Sequence, residues 1–111
     1  MLYELRIYDC NPGMLPALNK RFSEHTIELF EKHGVKNVGY WTTEVGESNQ
    51  RLTYLVAVEN AQQRMDAWES FRNDPEWATV VEESHCNGII VKNVRNELAR
   101  PNPVLAAPVG A

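Results

Sequence analysis

A ferredoxin-like α+β fold in the order βαββαβ is predicted by three features of this 111-residue sequence. Four β-favouring stretches are separated by stretches of helical periodicity, and the length holds a single core. Two split βαβ units then form a four-stranded antiparallel sheet with helices on one face.

Residues 2 to 9 open the chain with strict alternation, Tyr3, Leu5 and Ile7 on one side and Glu4, Arg6 and Tyr8 on the other, the period of a strand. Asn11-Pro12-Gly13 breaks it. Leu15, Leu18, Phe22, His25 and Leu29 then recur at helical spacing, predicting a helix over 13–33 that Gly34 stops in a left-handed cap. Val35 to Val45 and Leu52 to Val58 flank the polar stretch Gly46 to Gln50 and read as a hairpin. Asn60 with Gln63 is a capping-box pattern, and Met65, Trp68 and Phe71 continue the helix to Asp74-Pro75. Asp74 caps a further short helix with Pro75 in its first turn, and Trp77, Val80 and Val81 give it an inner face. Asn87-Gly88 ends that helix, and Ile89 to Val94 is the last strand. The folded domain is expected over 1–98, with an extended, proline-rich tail over 99–111.

Eleven Lys and Arg against fifteen Asp and Glu leave a net charge of −4 with no basic run, which argues against a nucleic-acid partner. The longest strongly apolar stretch, Leu52 to Val58, is far below the ~20 residues of a membrane span. Strand-like sequence begins at Leu2, so neither a leader nor membrane attachment is expected. Two isolated cysteines, Cys10 and Cys86, form no disulfide framework and no zinc knuckle. A reducing, cytoplasmic setting is the expectation. Gly-rich phosphate loops, nucleophile elbows and HExxH are absent from the sequence, so no metal site and no cofactor is expected.

Strand three carries Leu52, Tyr54, Val56 and Val58 on one side and Leu55 and Ala57 on the other, and the last strand sets Ile89 and Val91 against Ile90 and Val94. A sheet with one wetted face needs no second apolar row. A second copy packed sheet to sheet covers it, so a homodimer with a barrel-like core is expected.

Three motifs carry a family resemblance: Tyr3-Glu4-Leu5-Arg6-Ile7-Tyr8 leading into Pro12-Gly13, Gly39-Tyr40-Trp41-Thr42, and Trp68-x-x-Phe71-x-x-Asp74-Pro75-Glu76-Trp77. Together they resemble a NIPSNAP domain of the dimeric α+β barrel superfamily over about residues 1–98. The resemblance implies the fold and the dimer. It does not select a chemistry, because the superfamily includes cofactor-free monooxygenases, haem-binding proteins and proteins with no known catalysis.

His25 interrupts the apolar stripe of the first helix and is expected to face the sheet, where a semi-buried imidazole is a candidate general base. The alternative is a core histidine held by a hydroxyl or carbonyl. Phe22, Tyr40, Trp41, Tyr54, Trp68 and Phe71 are the candidate lining of a helix-to-sheet pocket for a flat apolar molecule, or else plain core. Glu4, Arg6 and Tyr8 share the face opposite Leu5, expected to be the dimer interior, where Arg6 either pairs with Glu4 of one of the two chains or receives an anion. The two functional classes are therefore a small-molecule binder or cofactor-independent, monooxygenase-like enzyme, and a noncatalytic homodimeric interaction module. Haem binding through His25 or His85 is a weaker third. Cys10 and Cys86, placed near one end of neighbouring strands, are a conceivable redox pair, though two unrelated thiols explain them as well.

Overall fold

The computed structural model describes residues 1–105. Its elements run β1 (Leu2–Cys10), α1 (Leu15–Arg21), a π-helical turn (Phe22–Thr26), α2 (Ile27–Lys32), β2 (Lys36–Thr42), β3 (Arg51–Val58), α3 (Ala61–Arg72), α4 (Pro75–Ser84) and β4 (Val91–Ala99). The four strands form one antiparallel sheet in the order β2-β3-β1-β4. This is the predicted ferredoxin-like α+β arrangement.

The local signals act as their chemistry requires. Gly34 adopts φ +86 after α2. Asn60 accepts the Gln63 amide at 2.8 Å, while the Gln63 side chain accepts from the Glu59 amide at 3.0 Å and donates to the Gly34 carbonyl at 3.0 Å, so one cap also ties α3 to the end of α2. Asp74 caps α4 through the Glu76 amide at 2.9 Å, with Pro75 as the first helical residue.

The last strand departs from expectation. It runs to Ala99, which pairs with Tyr3, and every residue after Val91 is exposed. Ala99, predicted as tail, is therefore part of the sheet, and the tail beyond Leu105 lies outside the described residues. The buried apolar residue of this region is Ile90, just before the strand.

The first helical segment departs too. The Ile27 amide donates to the Phe22 carbonyl and the Thr26 hydroxyl to the Arg21 carbonyl at 3.2 Å, both five residues back. In this wider turn each residue advances by less than the α-helical angle. The inward row becomes Leu18, Phe22, Thr26 and Phe30, all buried, and His25 swings off it.

Candidate functional site

Register decides which row of β1 the helices cover. Arg6 lies opposite Tyr54, Glu4 opposite Val56 and Tyr8 opposite Leu52, and Tyr54, Val56 and Leu52 are buried in the core beneath the helices. Glu4, Arg6 and Tyr8 therefore point at the helix layer. The expectation that they line a dimer interior is corrected: strand pleating puts Tyr3, Leu5 and Ile7 on the open face instead.

Glu4 is fully buried and accepts five hydrogen bonds. Arg64 Nε reaches Oε1 at 2.7 Å and its NH2 reaches Oε2 at 3.2 Å. Trp68 Nε1 donates to Oε1 at 3.1 Å, Arg6 NH1 to Oε2 at 2.8 Å and Asn96 Nδ2 to Oε2 at 3.1 Å. Burial pushes the carboxyl pKa up, but the donors from Arg64, Trp68 and Arg6 outweigh it and hold the value at about 2. The partner of Arg6 is thus Glu4 of its own chain.

Arg6 continues the network. Its Nε donates to the Tyr54 hydroxyl at 2.7 Å and NH2 to the Tyr8 hydroxyl at 3.1 Å, while the Tyr54 hydroxyl donates to Tyr8 at 3.0 Å. The guanidinium carbon lies 4.8 Å from the Trp68 ring centroid, a cation–π distance. Burial opposes the charge on Arg6, yet its surroundings raise its pKa, so it remains a cation.

Above this floor lies a cleft of about 490 Å³. Arg6, Tyr8 and Asn96 line it from the sheet, Thr26, Phe30, Trp68, Phe71 and Trp77 from the helices, and Arg64, Met65, Glu69 and Arg72 complete it. The cleft is open because the helices stop short of the edge strand: Val94 and Leu98, on the same side of β4 as Asn96, are 44% and 43% exposed. Its volume falls in the range of small-molecule sites.

Of the aromatic candidates, Trp68 and Phe71 line the cleft. Phe22, Tyr40 and Tyr54 do not. Phe22 packs edge-on against Tyr8, Phe30, Tyr40 and Tyr54, with centroids 5.2 to 6.0 Å away, and Tyr40 stacks on Tyr54 at 5.0 Å. The Tyr40 hydroxyl donates to Asn37 Oδ1, and burial pushes its pKa up. These three rings are core behind the site. Trp41 lies on the open sheet face, 54% exposed, its ring over Gly39, where a Cβ would come within 2.7 Å.

His25 does not reach the cleft. Its side chain is 42% exposed, 4.0 Å from Glu24, and borders a separate groove with Arg21, Ser84 and Cys86. The helix-to-sheet position expected of it belongs to Thr26, for the reason of the π turn. His85, the residue ending α4, is not among the cleft residues either. Cys10 is buried and Cys86 exposed, and both are free thiols. Burial pushes the Cys10 thiol pKa up.

Two groups escaped the sequence reading. Arg64 and Asn96 converge on Glu4 from 60 and 92 residues away, a separation that leaves no local pattern. His33 lies 2.6 Å from Ser70 Oγ through Nδ1 and 2.7 Å from Asp74 Oδ2 through Nε2. Asp74 is already held by Lys32 Nζ at 2.9 Å and by the α4 amide, Ser70 is exposed, and neither it nor His33 borders the cleft. This cluster clamps the end of α2 to the α3–α4 corner. Among the described residues no three His, Cys, Asp or Glu side chains converge as metal ligands, and no helix is long and apolar enough to cross a membrane.

The sequence matches the NIPSNAP family over residues 3–105. The chain belongs to the NIPSNAP family. Solved NIPSNAP structures share its fold: an uncharacterized NIPSNAP domain protein from Burkholderia xenovorans superposes with a TM-score of 0.81 at 18% identity, covering 96% of this chain and 99% of that one. The protein Atu4242 from Agrobacterium tumefaciens gives 0.81 at 24% identity, covering 93% and 95%. More distantly, a candidate antibiotic biosynthesis monooxygenase from Nitrosomonas europaea gives 0.62 at 6% identity over 90% and 97% of the two chains. At these identities the likeness establishes the fold alone. No curated protein matches the NIPSNAP chain.

Proposed function

We propose that this NIPSNAP domain binds a flat aromatic small molecule in the cleft between α3, α4 and the sheet. The observation that carries the reading is the lining, with Phe30, Trp68, Phe71 and Trp77 on the helix side around a fixed guanidinium, Arg6, on the sheet side. Aromatic walls with few, well-placed polar groups are what holds a planar ligand. The sheet-side groups, Arg6, Tyr8 and Asn96, can orient a ring, whereas no histidine borders the cleft among the described residues. Binding is accordingly the function its residues support. The test is an NMR titration of the indole N–H signals with two-ring aromatics, neutral and anionic. Signals of Trp68 and Trp77 should shift while Trp41, on the opposite face, stays still. If no probe moves Trp68 or Trp77, the reading falls.

A second reading concerns the open sheet face. Tyr3, Leu5 and Ile7 of β1, Leu55 of β3 and Trp41 of β2 form one apolar row there, and we propose that a second copy covers it. Sedimentation should give a dimer that Leu5→Arg converts to monomer. A wild-type monomer at micromolar concentration would overturn this.

A further inference from the structure

The hydrogen bonds at the floor of the cleft leave donors and few acceptors. Arg6 has five N–H groups, and three are committed, to Tyr54, Glu4 and Tyr8. Among the described residues the other two have no partner, and they sit on a side chain that is 18% exposed and borders the cleft. The Tyr8 hydroxyl accepts from both Arg6 and Tyr54, so its own proton has no partner among the described residues. The single carboxylate beneath, Glu4, already meets two guanidiniums, Arg6 at 2.8 Å and Arg64 at 2.7 Å. The floor therefore carries excess positive charge, held in place by Trp68 stacking on one side and by the Glu4 network below.

Glu69 and Arg72, both exposed, add opposite charges and leave this excess unchanged. We infer that the cleft selects an anionic aromatic, a ring bearing a carboxylate or an equally compact oxyanion, seated with that group on the free N–H groups of Arg6 and the hydroxyl of Tyr8. A guanidinium with one N–H left over on each terminal nitrogen can meet a two-oxygen anion with both, so charge and donor count agree. A neutral ligand of the same shape forfeits the charge-assisted bonds and leaves buried donors unpaired. This assignment rests on the reading of the cleft as an aromatic site and adds the class of ligand to it.

The experiment compares 2-naphthoate with 2-naphthamide, of the same shape, by the same indole titration on the full chain and on Arg6→Met. In that variant Glu4 keeps Arg64, Trp68 and Asn96 as partners. Naphthoate should bind about tenfold or more tightly than naphthamide to the wild type, and Arg6→Met should erase that preference while naphthamide binds as before. Equal affinities for the two probes in the wild type overturn the anionic assignment and leave the aromatic reading standing. Silence of Trp68 and Trp77 with both probes overturns the two together. A preference for naphthoate that survives Arg6→Met removes Arg6 as the recognising group. Should the variant fail to fold, the wild-type comparison alone decides between the first three outcomes.

Discussion

Glu4→Gln is the most informative single substitution, because the structure sets both its size and its pH dependence. The change keeps the volume of the side chain and removes its charge. It replaces one acceptor oxygen with an amide donor in front of donors from Arg6, Arg64, Trp68 and Asn96. Two guanidiniums then lose their shared counter-charge in a buried setting, a situation that costs about 3–5 kcal/mol. An independent route gives the same size. The carboxyl sits at about 2 instead of its ordinary 4.5, and at about 1.36 kcal/mol for each factor of ten this corresponds to roughly 3 kcal/mol. Because the folded pKa is depressed, that stability is present above pH 4.5 and is lost as pH falls toward 2. Urea unfolding of wild type and variant at pH 7, 5, 4 and 3 should show a gap of about 3 kcal/mol at neutral pH that narrows with acidification. In thermal melts the neutral gap corresponds to roughly 12 to 24 °C for a domain of this size. A gap below about 1 kcal/mol, or one that does not change with pH, would refute the reasoning.

Arg21 should behave in the opposite way. It is 7% exposed, and among the described residues its Nε has no partner and its one side-chain hydrogen bond, to Ser84 Oγ, is 3.3 Å long, so Arg21→Met should leave stability unchanged or raise it by about 1 kcal/mol in urea titrations. A loss of more than 2 kcal/mol would mean that its stacking on Trp77 matters more than its missing counter-charge. Hydrogen bonds from Lys32, His33 and the Glu76 amide hold the Asp74 carboxyl well below its ordinary 3.8. The stability this supplies is present above that value and drains away below it, so Asp74→Asn, which keeps the helix cap, should flatten the acid side of the thermal stability profile. His25→Ala should change neither stability, beyond about 0.5 kcal/mol, nor naphthoate affinity. A tenfold loss of affinity would return His25 to the site.

Much of the fold was legible from local chemistry. The alternation of Tyr3 to Tyr8, the Asn60 cap with Gln63, the Asp74-Pro75 restart and Gly34 after α2 each act within a few residues of themselves, and each appears where its pattern placed it. The site was legible in part. Trp68 and Phe71, which the sequence offered as pocket lining or plain core, pack in the core and also border the cleft, whereas Phe22, Tyr40 and Tyr54 carry the same aromatic signal and do not border it. An aromatic stripe reads alike whether rings face a cavity or one another.

What the sequence determined by itself was the order and kind of the elements, the family, and the placing of Glu4, Arg6 and Tyr8 on one side of β1, because all of these depend on short-range patterns. Three things were left to the tertiary structure. Cross-strand register chose which row of β1 lies under the helices, since pleating makes either choice equally periodic. The π turn exchanged His25 for Thr26 by a rotation that no residue spacing announces. The convergence of Arg64 and Asn96 on a carboxylate 60 and 92 residues away turned an ion pair into a charged floor, because only the closed sheet brings α3 and β4 together over β1.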